Sequence, residues 1–443
     1  MKRVLIVAGS DSGGGAGIQA DLKTVSALGA WGSTAVTALT AQNTLGVRGV
    51  HAVPAAFVAA QIAAVLEDIG ADAVKTGMLP TADIVACVAD AVAGAGPVVV
   101  DPVMVAKGGA PLLDDAAAAA VRERLLPVAA LVTPNIPEAE VLSGAPVRGI
   151  EDMEAAGRAI CRLGARAALV KGGHARGDIV TDVLVEGGMV THFSHRRVET
   201  RSTHGTGCTL SAAIATLLAL GRDLASAVAE ARAYVRLAMV AGPAIGAGHG
   251  PLDHLAALRR DAERHAVIAA LEDAFRALCA LPFAQLVPEV QSNFAYALPL
   301  AEEPADVAAF PGRIARVGDG IAAVRGPAFG ASRHCARIVL TAMRRDPEHR
   351  ACLNIRYGKD VIACARGAGL ACASFDRGAE PPDVREREGS TLEWGTDFVL
   401  AQGRGIPDAI YDAGGPGKEP MVRVLGRTPA EIVAKIRRIL GAR

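Results

Sequence analysis

The chain has 443 residues, 51% of them hydrophobic and 3% aromatic, and its 46 basic residues balance its 46 acidic residues. One hydrophobic core rarely grows beyond about 250–300 residues, so this length predicts two domains. The few aromatic side chains and the zero net charge argue against a nucleic-acid partner and against a charged surface that attracts membranes.

The cysteines and the apolar runs indicate where the protein works. Eight cysteines are present without a Cys-x-x-Cys pair, which argues against a zinc site or a disulfide scaffold and favours reduced thiols. The apolar run at 4–8 is too short for a signal peptide. The uncharged run at 205–221 predicts a buried helix, because threonines and a serine interrupt it. We therefore expect a cytoplasmic protein without a membrane span.

Predicted strands and helices alternate over the first half of the chain. The run at 4–8 is typical of a strand buried on both faces of a parallel sheet, and a glycine-rich turn and a helical pattern follow it. Further strands, with helices between them, are predicted at 33–40, 73–77, 98–100, 131–133 and 167–170. This alternation predicts an α/β layered fold whose strand-end turns share one edge, where ligands bind in such folds.

The small-residue turn Gly205-Thr206-Gly207-Cys208 runs directly into the predicted helix at 210–220. Its glycines allow a tight turn whose N–H groups, at a helix start, can hold a phosphoryl group. Cys208 lies in the first helical turn, where a thiol loses its proton more easily and can accept one from an attacking alcohol. A tight turn before a core helix, without a ligand, is the alternative interpretation.

Polar side chains follow several other predicted strands. Asp101, Asn135 and Glu138 offer the oxygen ligands that Mg²⁺ prefers, and Lys171, beside two glycines, suits a nucleotide phosphate. Capping of a turn or of a helix start is the alternative for the first three residues. Asp21, one turn into the first helix, is interpreted either as an exposed helix acid or as a contact to a polar ligand.

Taken together, these turns closely resemble those of the hydroxymethylpyrimidine (phosphomethylpyrimidine) kinases, the thiamine-biosynthesis branch of the ribokinase-like superfamily. The matching segments, all within residues 1–255, are Ala8-Gly9-Ser10-Asp11, Gly15-Ala16-Gly17-Ile18-Gln19-Ala20-Asp21, Ala41-Gln42-Asn43-Thr44, Lys75-Thr76-Gly77-Met78, Asp101-Pro102-Val103-Met104, Thr133-Pro134-Asn135-x-x-Glu138, Lys171-Gly172-Gly173-His174 and Gly205-Thr206-Gly207-Cys208.

The resemblance implies a ribokinase-like layered domain that uses ATP and Mg²⁺ to phosphorylate hydroxymethylpyrimidine and then its monophosphate. It implies catalytic roles for Gly205, Thr206, Gly207, Cys208 and Lys171. The residues implied to bind the pyrimidine are Gly9, Asp21, Gln42, Met78 and Val105. Those implied to organise Mg²⁺ are Asp101, Asn135 and Glu138. A pyridoxal kinase is the alternative within the same fold.

A charged helical pattern at 256–280 predicts a connector, and the residues after it show no similarity to the first half. Segments within 281–443 resemble the archaeal-type thiamine-phosphate synthase domain, which implies a second, smaller α/β domain. These segments are Leu286-Val287-Pro288-Glu289-Val290-Gln291-Ser292-Asn293, Pro311-Gly312-Arg313-Ile314, Phe329-Gly330-Ala331-Ser332-Arg333-His334, Asn354-Ile355-Arg356-Tyr357, Ser374-Phe375-Asp376-Arg377 and Asp408-Ala409-Ile410-Tyr411-Asp412-x-Gly414-Gly415.

This second resemblance implies condensation of the pyrimidine pyrophosphate with thiazole phosphate, and it assigns catalytic roles to Arg313 and His334. The other basic residues of these segments, Arg333, Arg356 and Arg377, are interpreted as solvated surface groups. A non-catalytic sensor of thiamine phosphate, fused to the kinase, is the alternative. We expect small-molecule substrates and, by analogy with the superfamily, a homo-oligomer.

Overall fold

The computed structural model describes residues 1–104, 115–174, 177–381, 390–403, 405–415 and 418–441. The chain divides into two compact units, Met1–Leu258 and Arg259–Arg443. Val105, which the resemblance places in the pyrimidine pocket, lies outside the described residues. None of the helices in the described ranges is long and apolar enough to cross a membrane.

A nine-stranded sheet forms the centre of the first unit. Its strands are β1 (Arg3–Asp11), β2 (Trp31–Asn43), β3 (Gly46–Ala52), β4 (Ala73–Thr76), β5 (Val98–Val100), β6 (Leu131–Val132), β7 (Ala167–Val170), β8 (Ile179–Glu186) and β9 (Met189–Arg196). They lie in the order β3-β2-β1-β4-β5-β6-β7-β8-β9. Six adjacent strands of this order are mutually parallel: β2, β1, β4, β5, β6 and β7. At one end of the sheet β3 runs antiparallel to β2, and at the other end β8 runs antiparallel to β7 and β9. The carboxyl ends of the parallel strands therefore share one edge.

Helices cover both faces of this sheet. They are α1 (Gly17–Ala27), α2 (Ala55–Asp68), α3 (Ala82–Val92), α4 (Asp115–Ala120), α5 (Ile136–Ser143), α6 (Ile150–Arg162), α7 (Thr206–Ala219) and α8 (Leu224–Val240). A short parallel pair, β10 (Ser202–His204) and β11 (Gly250–Pro251), lies outside the main sheet. Along β1, Val4 and Ile6 belong to the core under α7 and α8, while Leu5 and Val7 belong to the core under α2 and α3. This alternation confirms that the run at 4–8 is buried on both faces.

The second unit is also layered. Its helices are α9 (Ala256–Cys279), α10 (Arg333–Arg345), α11 (Lys359–Gly367), α12 (Ser390–Ala401) and α13 (Pro429–Ile439). Its strands are β12 (Phe294–Ala297), β13 (Val307–Ala309), β14 (Ile314–Val317), β15 (Gly320–Ala323), β16 (Ala328–Phe329), β17 (Ala351–Arg356), β18 (Cys372–Ser374), β19 (Ala409–Asp412) and β20 (Met421–Gly426). The helix α9, predicted as a connector, contributes Val267, Leu271 and Leu278 to the core of this unit.

The sheet of the second unit has seven strands in the order β16-β13-β12-β17-β20-β19-β18, and β14 and β15 form a separate hairpin. Its strand pairs are antiparallel except for β18 and β19. Phe294 and Tyr296 face the core that α9, α11 and α13 cover, whereas Ala295 and Ala297 face the core under α10. The two units together form the expected α/β architecture with a smaller second domain.

Candidate active site

A cavity of about 880 Å³ opens at the edge of the first unit where the parallel strands end. The predicted residues that line it are Gly9, Gln42, Met78, Asp101, Asn135, Glu138, Lys171, Gly205, Thr206, Gly207 and Cys208. The sheet topology brings these residues together from positions far apart in the chain. Of the residues predicted from the sequence for this unit, only Asp21 and Val105 are not among those that line the cavity, and Val105 lies outside the described ranges.

The turn before α7 has a backbone that requires glycine. Gly205 has a φ of 84°, in the left-handed region, and a Cβ atom on it would overlap the carbonyl oxygen of Gly15. Among the described residues no side chain caps α7, so the N–H groups at the helix start have no capping partner. Free N–H groups and the helix dipole together favour an anion at this end of the cavity.

Asp11, at the end of β1, ties two loops of the site together. Its carboxylate accepts the N–H groups of Gly13, Gly15 and Ala16 at 2.7–2.9 Å, and Nε2 of His204 lies 3.0 Å from Oδ2. Burial raises the pKa of Asp11, but the hydrogen bonds from His204 and from the backbone outweigh burial and leave the pKa below its usual range. The glycine-rich loop after β1 is thereby fixed to the residue that precedes the anion turn.

A fully buried ion pair lies beside the cavity. Nζ of Lys75 donates to Oδ2 of Asp21 at 2.7 Å, and both side chains are 0% exposed. Lys75 lines the cavity, whereas Asp21 lies behind it, with no hydrogen-bond partner for Oδ1 in the described part of the chain. Burial raises the pKa of Asp21 to about 6, although Lys75 opposes this shift. The interpretation of Asp21 as an exposed helix acid is therefore wrong.

Cys208 differs from the expectation drawn from its place at a helix start. Burial raises the pKa of its thiol to about 11, and Lys75 opposes this shift while Asp21 and Asp101 add to it. The helix terminus favours the thiolate, but loss of water around the sulfur has the larger effect. In the absence of a ligand the thiol therefore holds its proton at neutral pH.

Asp101, Lys171, Asn135 and Glu138 form a polar group on one wall. Nζ of Lys171 donates to Oδ1 of Asp101 at 3.1 Å. The Asn135 side chain accepts the N–H of Glu138 at 3.0 Å, and the Glu138 carboxylate accepts the N–H of Asn135 at 2.8 Å. Burial raises the pKa of Glu138 to about 7, and Lys171 partly offsets this effect. The helix-capping interpretation of Asn135 and Glu138 is therefore confirmed.

This group also suits Mg²⁺ as it is usually held beside a nucleotide. The described residues contain no cluster of three or more His, Cys, Asp or Glu side chains arranged as a complete metal site. Mg²⁺ at nucleotide sites is held by one or two carboxylates, with water and substrate phosphates as the other ligands. Asp101 and Glu138, which both interact with Lys171, supply such a pair of carboxylates.

The wall built from β8, β9 and α8 was not predicted. Arg232 donates through Nε to Oδ2 of Asp182 at 2.7 Å and through a terminal nitrogen to the carbonyl of Phe193 at 2.7 Å. Asp182 also accepts the N–H of Gly172, next to Lys171, at 2.8 Å. The two-residue loop Gly187-Gly188 between the strand-like runs at 179–186 and 189–196 is a hairpin signal that could have indicated this pair of strands.

In the second unit, several of the resembling segments meet at one edge of the sheet. Asn293, just before β12, donates its N–H to Oδ1 of Asn354 at 2.6 Å, and Sγ of Cys335, in the first turn of α10, lies 3.9 Å from the same oxygen. Gln291 and Arg313 are two of the three non-glycine residues with positive φ in the described ranges. Strained backbone of this kind is concentrated at functional sites.

The two predicted catalytic residues of the second unit lie at this edge. Arg313 donates to the carbonyl of Val290, and its charge acts on the Cys335 thiol. His334 is the neighbour of Cys335 in the first turn of α10, after the N-cap Ser332. Both Arg313 and His334 are exposed to solvent. The structure therefore brings the segments of Arg313 and His334 to one part of the surface.

The interpretation of Arg377 as a solvated surface group is wrong. Its side chain is 12% exposed and its Nε lies 2.6 Å from Oδ1 of Asp412, which is fully buried. Arg423, 3% exposed, donates to the other oxygen of Asp412 at 2.7 Å. Burial raises the pKa of Asp412, but the two guanidinium groups outweigh burial and lower it overall. Arg356 is nearer to the expectation, because its partner Asp360 is 64% exposed.

The fold and the cavity of the first unit define a small-molecule kinase of the ribokinase-like class. Residues 11–253 match the phosphomethylpyrimidine kinase family, and residues 270–438 match the thiamine-phosphate synthase ThiN family. The chain belongs to the phosphomethylpyrimidine kinase family and carries a thiamine-phosphate synthase ThiN domain as its second half.

Individual relatives agree with this assignment. The chain is 34% identical to the bifunctional thiamine biosynthesis protein ThiDN of Methanocaldococcus jannaschii over 98% of this chain and 97% of that protein. It is 54% identical to the thiamine biosynthesis bifunctional protein ThiED of Geobacter sulfurreducens over 57% of this chain, and it spans only 52% of that relative. The pyridoxal kinase of Staphylococcus aureus, in complex with AMP-PCP and pyridoxal, is 35% identical, with a TM-score of 0.54 over 58% of this chain and 96% of the kinase.

Proposed function

We propose that the chain is a bifunctional enzyme of thiamine biosynthesis. Its first unit phosphorylates hydroxymethylpyrimidine with ATP and then phosphorylates the monophosphate. Its second unit joins the resulting pyrophosphate to thiazole phosphate and releases pyrophosphate. The observation that carries the proposal is the cavity at which the anion turn, Cys208 and Lys171 meet. The match to ThiDN along nearly the whole chain supports the presence of both activities.

In the kinase reaction, the hydroxymethyl oxygen forms a bond to the γ-phosphorus, and the bond from that phosphorus to the departing ADP breaks. The N–H groups of the turn Gly205-Thr206-Gly207-Cys208 are placed to hold the transferring group, whose charge is spread over its oxygens. The thiolate form of Cys208, reached after the thiol has lost its proton to solvent, accepts the alcohol proton, and Lys171 binds the nucleotide phosphates. Asp101 and Glu138 would hold Mg²⁺, which neutralises phosphate charge when it is bound.

The pyrimidine end of the cavity has a suitable recognition group. Both backbone groups of Gln42 are bonded to the hydroxyl of Ser12, at 2.7 and 2.9 Å, so the residue is fixed in place. Its carboxamide can both donate and accept, which matches the edge of an aminopyrimidine. A Cβ atom at Gly9 would lie 3.2 Å from Sδ of Met78, so glycine leaves room for the thioether against a flat ring.

For the condensation, a cation must stabilise the departing pyrophosphate. Arg313 supplies a guanidinium next to the N-terminus of α10, and His334 stands in the first turn of that helix. Both the helix dipole and the guanidinium favour an anion there. A thiamine-phosphate sensor remains the alternative for this unit, since a sensor would also need to bind phosphate.

A one-pot assay with hydroxymethylpyrimidine, MgATP and thiazole phosphate tests the proposal, with products followed by mass spectrometry. We expect the pyrimidine monophosphate, its pyrophosphate and thiamine phosphate to appear in that order. Accumulation of the pyrophosphate alone would leave the second unit as a sensor. If neither pyrimidine product forms and pyridoxal, supplied in a parallel assay, is phosphorylated, the first unit is a pyridoxal kinase, as the likeness to the Staphylococcus enzyme would then suggest. Omission of Mg²⁺ in the presence of EDTA should abolish the kinase products.

We propose further that the protein works in the cytoplasm as a homo-oligomer with small-molecule partners only. The absence of a Cys-x-x-Cys pair and the free state of all eight cysteines support a reducing compartment. Light scattering on the purified chain measures its mass in solution, and a value of one 45.2 kDa chain would contradict the oligomer.

A further inference from the structure

The buried pair of Lys75 and Asp21 is difficult to explain by stability alone. Replacing a buried ion pair with apolar side chains of similar volume is often neutral or stabilising, since each charge loses its water. Here the two side chains are 0% exposed, and Oδ1 of Asp21 has no partner among the described residues. A pair whose hydrogen bonding is incomplete, on the wall of the cavity, suggests a role in the reaction.

The ammonium of Lys75 is held in place on the cavity wall. Its one described hydrogen bond goes to Asp21, and an ammonium has three donors. A Cβ atom on Gly77, at the end of the same strand, would lie 2.9 Å from Nζ, so glycine leaves the space that the ammonium fills. Asp21 therefore anchors a cation that retains further donors on a wall of the cavity that Cys208 also lines.

Four charged groups from different elements act on the Cys208 thiol. Lys75 on β4 and Lys171 after β7 favour the thiolate, whereas Asp21 on α1 and Asp101 after β5 oppose it. Of these charges, Lys75 has the largest effect on the sulfur. Burial raises the pKa of the thiol and keeps it protonated, and Lys75 is the charged group that opposes this effect most strongly.

The two proposed phosphorylations differ in their need for a base. The first nucleophile is an alcohol, whose proton must be removed as the oxygen attacks. The second is a phosphate monoester with a second pKa near 6, so one of its oxygens is already ionised at neutral pH. Only the first step therefore needs a group that accepts a proton.

We propose that Lys75 serves the first phosphorylation in particular, as the cation that stabilises negative charge on Cys208 and on the attacking oxygen. The inference rests on the proposed kinase function. In this step Cys208 reacts as the thiolate, after its own proton has passed to solvent, and the proton of the hydroxymethyl oxygen moves to the thiolate sulfur while the new O–P bond forms and ADP leaves. Asp21 positions the ammonium and moderates its charge. In the second step an ionised phosphate oxygen attacks, and no proton has to be removed.

The test uses Lys75→Met, Asp21→Asn and the neutral double variant of the full chain. The kcat/KM for each step is measured separately, with hydroxymethylpyrimidine or with its monophosphate as the supplied substrate. We expect the double variant, which restores charge balance, to lose at least tenfold more activity in the first step than in the second. Asp21→Asn keeps the ammonium, so the rising limb of the first-step pH profile should move to lower pH.

Two results would overturn the role of Lys75. If the pair only holds the fold, the double variant recovers the activity that Lys75→Met loses, equally in both steps. If the pH profile of Asp21→Asn matches that of the wild type, Lys75 and Asp21 do not act on the proton transfer, and this holds even if the Lys75 variants fail to fold. Failure of the proposed function is distinct, because the wild-type protein would then phosphorylate neither pyrimidine substrate.

Discussion

Both units place a sheet between layers of helices, yet they treat buried charge in opposite ways. In the first unit, Lys75 and Asp21 are paired with each other but keep unused hydrogen-bonding capacity, within the described residues, beside a large cavity. In the second unit, Asp412 is shared by Arg377 and Arg423, which occupy both of its oxygens. Buried charge by itself therefore does not mark a reactive site. The two clusters differ in whether both oxygens of the buried carboxylate have a partner among the described residues.

The largest effect is expected from a substitution that breaks the buried cluster of Asp412, Arg377 and Arg423 in the second unit. Asp412→Asn leaves two arginines, one of them almost fully buried, without their carboxylate. Breaking a buried pair costs about 3–5 kcal/mol of unfolding free energy. Urea unfolding, followed by the fluorescence of Trp394 in a Trp31→Phe background, measures this loss for the second unit, since these are the two tryptophans of the chain.

The matched control is Asp360→Asn, which removes an aspartate that pairs with Arg356 at a similar distance, 2.6 Å, but is 64% exposed. Exposed pairs contribute only about 0–1 kcal/mol. If both variants lose the same free energy, the contrast between saturated buried charge and surface charge does not hold in this unit.

The next largest effect concerns the anion turn of the first unit. Gly205→Ala introduces a Cβ atom that overlaps the carbonyl oxygen of Gly15, at a φ that disfavours alanine. Loss of one preorganised anion-hole donor typically lowers kcat by roughly 10²–10³-fold, and we expect a decrease of that size in the kinase assay. Gly221→Ala is the control, because Gly221 follows the same helix with a φ of 90°, and no atom of the described residues would lie within 4 Å of its Cβ. Wild-type rates for Gly205→Ala would remove this turn from the site.

One buried group in each unit, His254 in the first and Asp412 in the second, should lose its contribution to stability over a different pH range. Burial lowers the pKa of His254 to about 4, and unfolding restores a value near 6.5, so the unfolded state binds the proton first. The contribution of His254 to the stability of the first unit therefore falls by roughly 3 kcal/mol as the pH falls from about 6.5 to 4, whereas the raised pKa values of Asp21 and Glu138 change the stability in the opposite direction. The difference in unfolding free energy between wild type and His254→Gln should therefore shrink by this amount between pH 6.5 and 4, as measured by urea unfolding at several pH values with Trp31 as the probe.

The contribution of Asp412 has the same sign as that of His254, but it is lost over a lower pH range. The pKa of Asp412 is lower in the folded state than the unfolded value of about 3.9, so its contribution is complete above that pH. The contribution is lost only as the pH falls through the folded pKa, and the second unit should keep it between pH 6.5 and 4. A loss of the Asp412 contribution within that range, seen as a shrinking difference between wild type and Asp412→Asn, would contradict the assignment.

The smallest expected effect concerns the contact of His204 with Asp11. His204→Ala leaves the carboxylate with its backbone donors only, and hydrogen bonds to charged groups contribute about 1.5–3 kcal/mol. We expect KM for the pyrimidine to rise about tenfold, which corresponds to the low end of that range. His192→Ala is the control, because His192 also lies 3.0 Å from a carboxylate, that of Glu154, but on the exposed surface of β9. Equal effects of the two variants would show that the contact does not order the site.

The site of the first unit was predictable to a large extent, and for a physical reason. Parallel strands end at one edge, so residues that follow apolar runs, such as Asp101 and Lys171, must come together wherever they lie in the chain. The buried position of Lys75 was not predicted in this way, because it depends on the ion pair with Asp21, which lies 54 residues earlier. The direction of the Cys208 pKa was also missed, since the degree of burial cannot be derived from a local motif.

The second unit was harder to predict because its contacts depend on antiparallel register. Arg377 belongs to the buried cluster only because β19 ends at Asp412, 35 residues later, and because β20 places Arg423 on the adjacent strand. A one-residue change of register would turn these side chains to the other face. The motifs therefore indicated the type of domain, whereas the partners of its charged residues required the structure.

The bonds of Asp11 have a thermodynamic consequence for the order in which ligands bind. One carboxylate holds both the loop at the pyrimidine end and the residue before the anion turn. A ligand that orders either loop thus reduces the loss of conformational entropy that accompanies binding of the other ligand. Such linkage is reciprocal, so the factor by which nucleotide strengthens alcohol binding equals the factor by which alcohol strengthens nucleotide binding.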